Sequence, residues 1–172
     1  MIVLETERLA LREFHLDDAE FILQLLNEPA FLRFIGDKGV RTLADARDYL
    51  LKGPIESYRR FGFGLYLASL REDGTPIGMC GLVKRDGLAD VDVGFALRSQ
   101  YWSRGYAVEA AAAVIDHGKS RLNLARIVAI VNPGNHASIS VLERVGLRFE
   151  RMVQLSSDAV ELKLFGPAPG PT

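Results

Sequence analysis

Residues 91 to 131 constrain the fold more tightly than any other part of the chain. An apolar run, Val91 to Leu97, reads as a strand, and a short turn containing Gly105 follows it. From about Gly105 to Ser120 an alanine-rich stretch has strong helix propensity and a thin profile, so it can lie close against a sheet. Arg126 to Asn132, centred on Ile127-Val128-Ala129-Ile130-Val131, reads as a second strand covered on both faces. Strand, helix, strand in that order allows parallel pairing through a right-handed crossover. The start of the helix also presents backbone N–H groups without internal partners at the positive end of the helix dipole, where phosphate binds readily.

The rest of the chain supplies antiparallel material. Arg8 to Arg12 alternates polar and apolar, the period of a half-buried strand. Asp17-x-x-Glu20 has the spacing of a capping box, and Phe21, Ile22, Leu25 and Leu26 form an apolar helical stripe that Glu28-Pro29 ends. Phe31 to Ile35 reads as an aromatic connecting segment that either plugs the core or lines a pocket. Thr42-x-x-Asp45 opens a second helical stretch, which Gly53-Pro54 should kink or divide. Phe63 to Leu70, Pro76 to Lys84 and Ala89 to Arg98 then form a meander with turns at Asp73-Gly74 and Asp86-Gly87. Asn135 is positioned as the N-cap of a last helix, and Gly146 sits where a left-handed residue closes one. Two strands, Phe149 to Leu155 and Val160 to Phe165, complete the set. Residues 1–166 read as one domain and 167–172, rich in Gly and Pro, as a flexible tail.

Composition removes several classes of function. The chain has 172 residues, enough for one core of useful size, and a formal net charge of -1 gives no electrostatic case for nucleic acid or an acidic membrane. Its single cysteine, Cys80, lies in an apolar strand and excludes an internal disulfide; a buried residue and a reactive thiol are the two readings. The three histidines are scattered, so no metal site is expected. There is no stretch long enough to span a bilayer and no signal-peptide pattern, and a soluble cytoplasmic protein is expected.

Three motifs in order carry a resemblance. They are Glu5-Thr6-Glu7-Arg8-Leu9-x-Leu11-Arg12; Val93-Gly94-Phe95 followed by Tyr101-Trp102-x-Arg104-Gly105-Tyr106-Ala107-x-Glu109-Ala110; and Asn132-x-x-Asn135-x-x-Ser138 followed by Leu142-Glu143-Arg144-Val145-Gly146-Leu147. Together they resemble the GNAT superfamily of acetyl-CoA-dependent N-acetyltransferases, in particular the branch of ribosomal-protein N-terminal alanine and serine acetyltransferases. The resemblance spans about residues 5 to 165. It implies an α/β (α+β) GNAT fold: a mixed, mostly antiparallel seven-stranded sheet flanked by about four helices and splayed between the fourth and fifth strands. It also implies a bulge in the strand before the glycine loop.

The same resemblance implies site residues. Amides of Ser103, Arg104, Gly105, Tyr106, Ala107 and Val108 would cradle the pyrophosphate of acetyl-CoA. Phe95, Ala96 and Leu97 would pair with its pantetheine arm, and the Phe95 N–H could polarise the acetyl carbonyl. Asn135 would contact the same arm or act purely as a helix cap. Trp102, where the wider superfamily has Gln or Arg, should pack at the strand end.

Acetyl transfer needs a neutral amine, a donor for the developing oxyanion and a proton for the departing thiolate. Asp92 lies two residues before Gly94, where the resembled branch often has a glutamate, and the resemblance implies it as the candidate general base, through a relaying water, with Asp90 on the same side; a solvent-facing aspartate is the plain alternative. Leu142 stands where many GNAT enzymes have a tyrosine; the resembled branch has a serine instead, and the resemblance implies Ser138 as the candidate proton source, against a hydroxyl that only bonds the helix start. The expected partners are acetyl-CoA and an amine acceptor, either a small molecule or a peptide N-terminus, in a monomer or homodimer without nucleic acid or membrane. A non-catalytic acyl-CoA-binding module is the rival reading. A nucleotide-phosphate enzyme is disfavoured, because the loop lacks the lysine and hydroxyl of a P-loop.

Overall fold

Eight strands form the scaffold: β1 (Ile2–Glu5), β2 (Leu9–Glu13), β3 (Leu65–Leu70), β4 (Pro76–Val83), β5 (Val91–Leu97), β6 (Ile127–Val131), β7 (Leu147–Val153) and β8 (Leu162–Pro167). They belong to a computed structural model whose described residues are 2–169. The strands make one mixed sheet in the order β1-β2-β3-β4-β5-β6-β8-β7. Seven were expected, and the eighth is β1, which pairs antiparallel with β2 at the sheet edge. β5 and β6 are the parallel pair, and their register covers only Val91 with Ile127 and Asp92 with Val128. Beyond those two pairs the strands part, which is the expected splay.

The expected bulge in β5 is absent. Its pairing with β4 runs without a register shift from Val83 opposite Asp92 to Gly78 opposite Leu97. A continuous ladder on the β4 side keeps β5 straight while its other edge is left open.

Six α-helices flank the sheet: α1 (Ala19–Leu26), α2 (Pro29–Phe34), α3 (Leu43–Leu50), α4 (Glu56–Phe61), α5 (Tyr106–Ser120) and α6 (His136–Arg144). Four were expected, and the surplus has two local causes. Pro29 both stops α1 and occupies the first turn of α2, where its fixed φ and missing N–H are an advantage. The segment read as a connection is therefore mostly helical. Pro54 has no N–H to donate, and a π-helical turn, Leu51–Ile55, carries the chain past it from α3 into α4.

The caps divide in the same way. Thr42 and Asp45 form the expected capping box, with the Asp45 N–H donating to Thr42 Oγ1 at 3.0 Å and the Thr42 N–H to Asp45 Oδ2 at 3.2 Å. Asp17 and Glu20 do not. Asp18 takes that role instead, accepting the His15 N–H at 2.9 Å and two Arg12 N–H groups at 2.8 and 2.9 Å.

The apolar face of α5 explains its alanines. Ala110, Ala111 and Val114 are fully buried against β4 to β6. A Cβ at Gly118 would lie 2.6 Å from Ile127 Cδ1 and 3.0 Å from Leu82 Cδ1, so the helix could come no closer with a side chain there. On the opposite face, Ile22, Leu25, Leu26, Ala46 and Leu50 pack with Leu67 and Met79. Cys80 is completely buried in β4, and burial pushes its thiol up to about 12. At the C-terminal end Pro167 is the last residue of β8, and the Ala168 N–H bonds to the Gly146 carbonyl at 3.2 Å. The end of the expected tail, residues 170–172, lies outside the described residues.

Asp18 makes a checkable contribution to stability. Burial would raise its pKa, but the Arg12 guanidinium and the His15 N–H outweigh that and hold it below the ordinary value. A depressed folded-state pKa stabilises above the unfolded value of about 3.9, and the benefit is lost as pH falls through the folded value. Asp18→Asn should therefore cost about 1–3 kcal/mol in urea denaturation at neutral pH. The gap to the parent protein should close in strongly acidic buffer.

Candidate active site

The open edge of β5 sets the geometry. The Arg98 N–H donates to the Ile77 carbonyl at 2.8 Å, and N–H directions alternate along a strand. Phe95 and Leu97 therefore turn their backbone polar groups toward the splay, while those of Ala96 turn toward β4. Of the three residues expected to offer amides there, Ala96 contributes its side-chain face instead. At the strand end the Trp102 indole N–H donates to the Leu97 carbonyl at 2.9 Å. Trp102 thus packs at the strand end as expected, and it also lines the adjoining cavity.

Two cavities meet at this edge. One, of about 380 Å³, runs between β5, the start of α5 and α6. Leu97, Ser103, Gly105, Tyr106, Ala107 and Val108 line it. The other, of about 470 Å³, lies under α2, the π-turn and α4 and reaches Asp92. Phe95, Ala96, Asn135 and Ser138 line both, as do Phe31, Phe34 and Ile35. The aromatic segment between the first helices therefore lines a pocket as well as packing the core, where Phe31 is buried.

The turn before α5 has the shape of an anion cradle. Ser103 has φ 61° and Gly105 φ 82°, two left-handed residues flanking Arg104. The Glu109 N–H is the first to close a helical bond, to the Gly105 carbonyl at 3.0 Å, so the earlier N–H groups of the helix remain open. Such a run of outward N–H groups at a helix start suits a pyrophosphate. Arg104 itself does not line the cavity: its guanidinium lies 5.9 Å from the centre of the Tyr101 ring.

What holds the cradle is a network across the sheet. Arg8 Nε donates to Glu109 Oε1 at 2.7 Å, its Nη1 to the Arg104 carbonyl at 2.9 Å, and its guanidinium sits 4.3 Å over the Tyr106 ring. Glu109 Oε2 accepts the Arg8 N–H at 2.9 Å and the Thr6 hydroxyl at 2.5 Å. Burial would raise the Glu109 pKa, but the bonds from Thr6 and Arg8 hold it below its ordinary value. Thr6, Arg8 and Glu109 stand in the motifs already singled out, yet their mutual contact has no signature in one sequence.

Asp92 is not solvent-facing. It is 1% exposed, on the wall of the larger cavity, with Arg85 Nε donating to its Oδ2 at 2.7 Å and Arg85 Nη2 near its Oδ1 at 3.5 Å. Burial pushes its pKa up, and Arg85 opposes that shift. Arg85 was missed because it sits in what reads as an ordinary turn. Asp90 lies before β5, pairs with Arg126 at 3.1 Å and does not line either cavity. Asn135 caps α6, its Oδ1 accepting the Ser138 N–H at 3.2 Å. Both residues face the junction of the cavities, and Arg144, also missed, lines the smaller one. Leu142, one helical turn past Ser138, is buried.

Comparison with known proteins gives a consistent set of likenesses. Residues 8–148 match the profile of the Acetyltransferase (GNAT) domain family. The chain is 30% identical over 145 residues to the uncharacterized N-acetyltransferase YnaD of Bacillus subtilis (strain 168), covering 84% of this chain and 82% of that one. It resembles the crystal structure of an acetyltransferase from Agrobacterium tumefaciens str. C58, with TM-score 0.81, 28% identity and coverage of 96% and 94%. The ribosomal L7/L12 alpha-N-protein acetyltransferase RimL in complex with coenzyme A shares the fold, with TM-score 0.81 at 19% identity over 96% of this chain and 97% of that one.

The network around Glu109 predicts a separation of effects. Glu109→Ala should weaken coenzyme A binding about tenfold by isothermal titration, because a slackened cradle loses its preset N–H geometry. Unchanged affinity would show that the turn holds its shape without the brace.

Proposed function

The chain belongs to the GNAT acetyltransferase family, and we propose that it acetylates a primary amine by direct attack within a ternary complex, one cavity holding the donor and the other the acceptor. The observation that carries this reading is the junction at Phe95, Ala96, Asn135 and Ser138, where the two cavities share a wall. It brings an amine from one side to a thioester from the other without a covalent enzyme intermediate.

The residues present fit acetyl-CoA. Amides at the start of α5 would take the pyrophosphate, and the open edge of β5 would pair with the amide-rich arm at Phe95 and Leu97. Asn135, whose Oδ1 is committed to the cap, has its Nδ2 left to offer the same arm. Bound there, acetyl-CoA supplies an activated acetyl group and a thiolate leaving group.

The chain's own groups then have three tasks. The Phe95 N–H, aimed into the splay, donates to the acetyl oxygen as negative charge grows on it. Asp92 accepts the proton that the amine loses, through water, because Arg85 occupies the face of the carboxylate nearest to it. The Ser138 hydroxyl delivers a proton to the sulfur and takes one back from solvent, to which Asp92 releases the amine's proton. As the nitrogen–carbon bond forms and the carbon–sulfur bond breaks, one amine proton in effect passes to the thiol. No helix among the described residues is long and apolar enough to cross a membrane, and the proposal places the reaction in the cytoplasm.

Two substitutions test the assignment. Ser138→Ala should lower kcat about a hundredfold in a thiol-release assay and leave the affinity for acetyl-CoA nearly unchanged. Full turnover would remove Ser138 from the mechanism. In the parent protein the rate should rise with pH through the raised Asp92 pKa. Asp92→Asn should flatten that limb, and an identical profile would assign the proton to another acceptor.

A further inference from the structure

The larger cavity carries more positive charge than anything bound in the smaller one can use. Lys38, Lys52, Arg60, Lys84 and Arg85 line it, against two carboxylates, Glu56 and Asp92. Both carboxylates are already engaged, Asp92 by Arg85 and Glu56 by Arg59. Lys52 pairs with Asp48. Lys38, Arg60 and Lys84 have no carboxylate partner among the described residues; Lys84 Nζ bonds instead to the Leu88 carbonyl at 2.7 Å. The whole chain has a formal net charge of -1, so this concentration is local.

These cations do not belong to the donor's phosphates. The first residues of α5 line only the smaller cavity, the five cations line only the larger one, and none of the seven residues common to both is charged. The smaller cavity has one cation and one carboxylate, Arg144 and Glu28. The charge therefore faces whatever occupies the acceptor side. Partial burial, and to a lesser degree repulsion from Arg85, lowers the Lys38 pKa. Lys38 as a whole residue is exposed, so it sits at the rim of the pocket, not in the core. A rim of unpaired cations around a pocket attracts and orients an anion.

We infer that the acceptor is a small primary amine that also carries an anionic group, a carboxylate or a phosphate, held by Lys38, Arg60 and Lys84. A volume of about 470 Å³ has room for such an amine. Seen this way, the Asp92–Arg85 pair leaves Arg85 Nη1 available to the anion while the carboxylate stays near the amine. The inference rests on the acetyltransferase reading and narrows its substrate.

The test is a thiol-release assay with acetyl-CoA and matched acceptors: aspartate and glutamate, phosphoethanolamine and O-phosphoserine, neutral amides without the anion (the diamides of aspartate and glutamate and the amide of serine), spermidine, and a short acidic peptide. One of the two anionic sets should exceed the neutral amides at least about tenfold in kcat/KM, and which set leads identifies carboxylate or phosphate. The advantage should shrink at high salt and in Lys38→Gln and Arg60→Gln. Equal or faster turnover of the neutral amides or spermidine, or of the peptide alone, overturns the inference. If no amine releases thiol, the transferase reading falls. Calorimetry with glutarate and inorganic phosphate as non-reacting probes then decides the charge inference by itself. Binding that Lys38→Gln weakens supports it, and no binding, or binding the variant leaves unaltered, refutes it.

Discussion

The site depends on a parallel pairing that stops after two residues. β5 and β6 meet at Val91 and Asp92 and then diverge, although both are long enough to continue. A sheet interior normally satisfies every strand N–H and C=O. Here one edge of β5 is withheld inside the protein, and the backbone groups of Phe95 with the Leu97 N–H, the Leu97 carbonyl being taken by the Trp102 indole, become a binding edge that is shielded from other proteins by the surrounding layers. The uninterrupted ladder to β4 makes this possible, since an edge left open on one side must be held firmly on the other.

The second constraint is the brace from Arg8 to Glu109 and the Arg104 carbonyl. It joins the turn between the first two strands to the start of α5 across the sheet. Two left-handed residues in a short turn are an unfavourable local conformation, especially at Ser103, which is not glycine. An exposed ion pair would do little against that alone. The carboxylate of Glu109, accepting from a backbone N–H, a hydroxyl and a guanidinium together, is a better anchor because its partners come from one rigid turn.

Much of this was legible in residue patterns. The alanines of α5, the apolar run of β6 and the cap at Asn135 each state a local preference that the fold obeys. Where the reading departed from the structure, a residue had two local roles. Pro29 ends one helix and begins another, and only packing of Phe31 into the core selects the second. Asp17 and Asp18 are equally good caps by type, and Arg12, distant in the pattern but adjacent in space, selects Asp18. The bulge implied by resemblance was not written in any residue of β5, and the strand does without it. The site was legible where it is backbone and opaque where it is charge. A lysine or arginine such as Lys38, Arg60 or Arg85 looks the same in sequence whether it faces bulk water or a cavity.

The burial of Cys80 bears on how the protein behaves during turnover. The proposed reaction liberates a thiol in a protein that has a single cysteine of its own. That cysteine is sealed in β4 with its pKa pushed up to about 12, so it is neither accessible nor ionised at neutral pH. The folded protein is consequently silent toward thiol-directed dyes and cannot be capped by its own product as a mixed disulfide. Any thiol that a chromogenic reagent detects in solution with the native protein comes from the cofactor, which gives activity measurements on this chain a background free of its own sulfur.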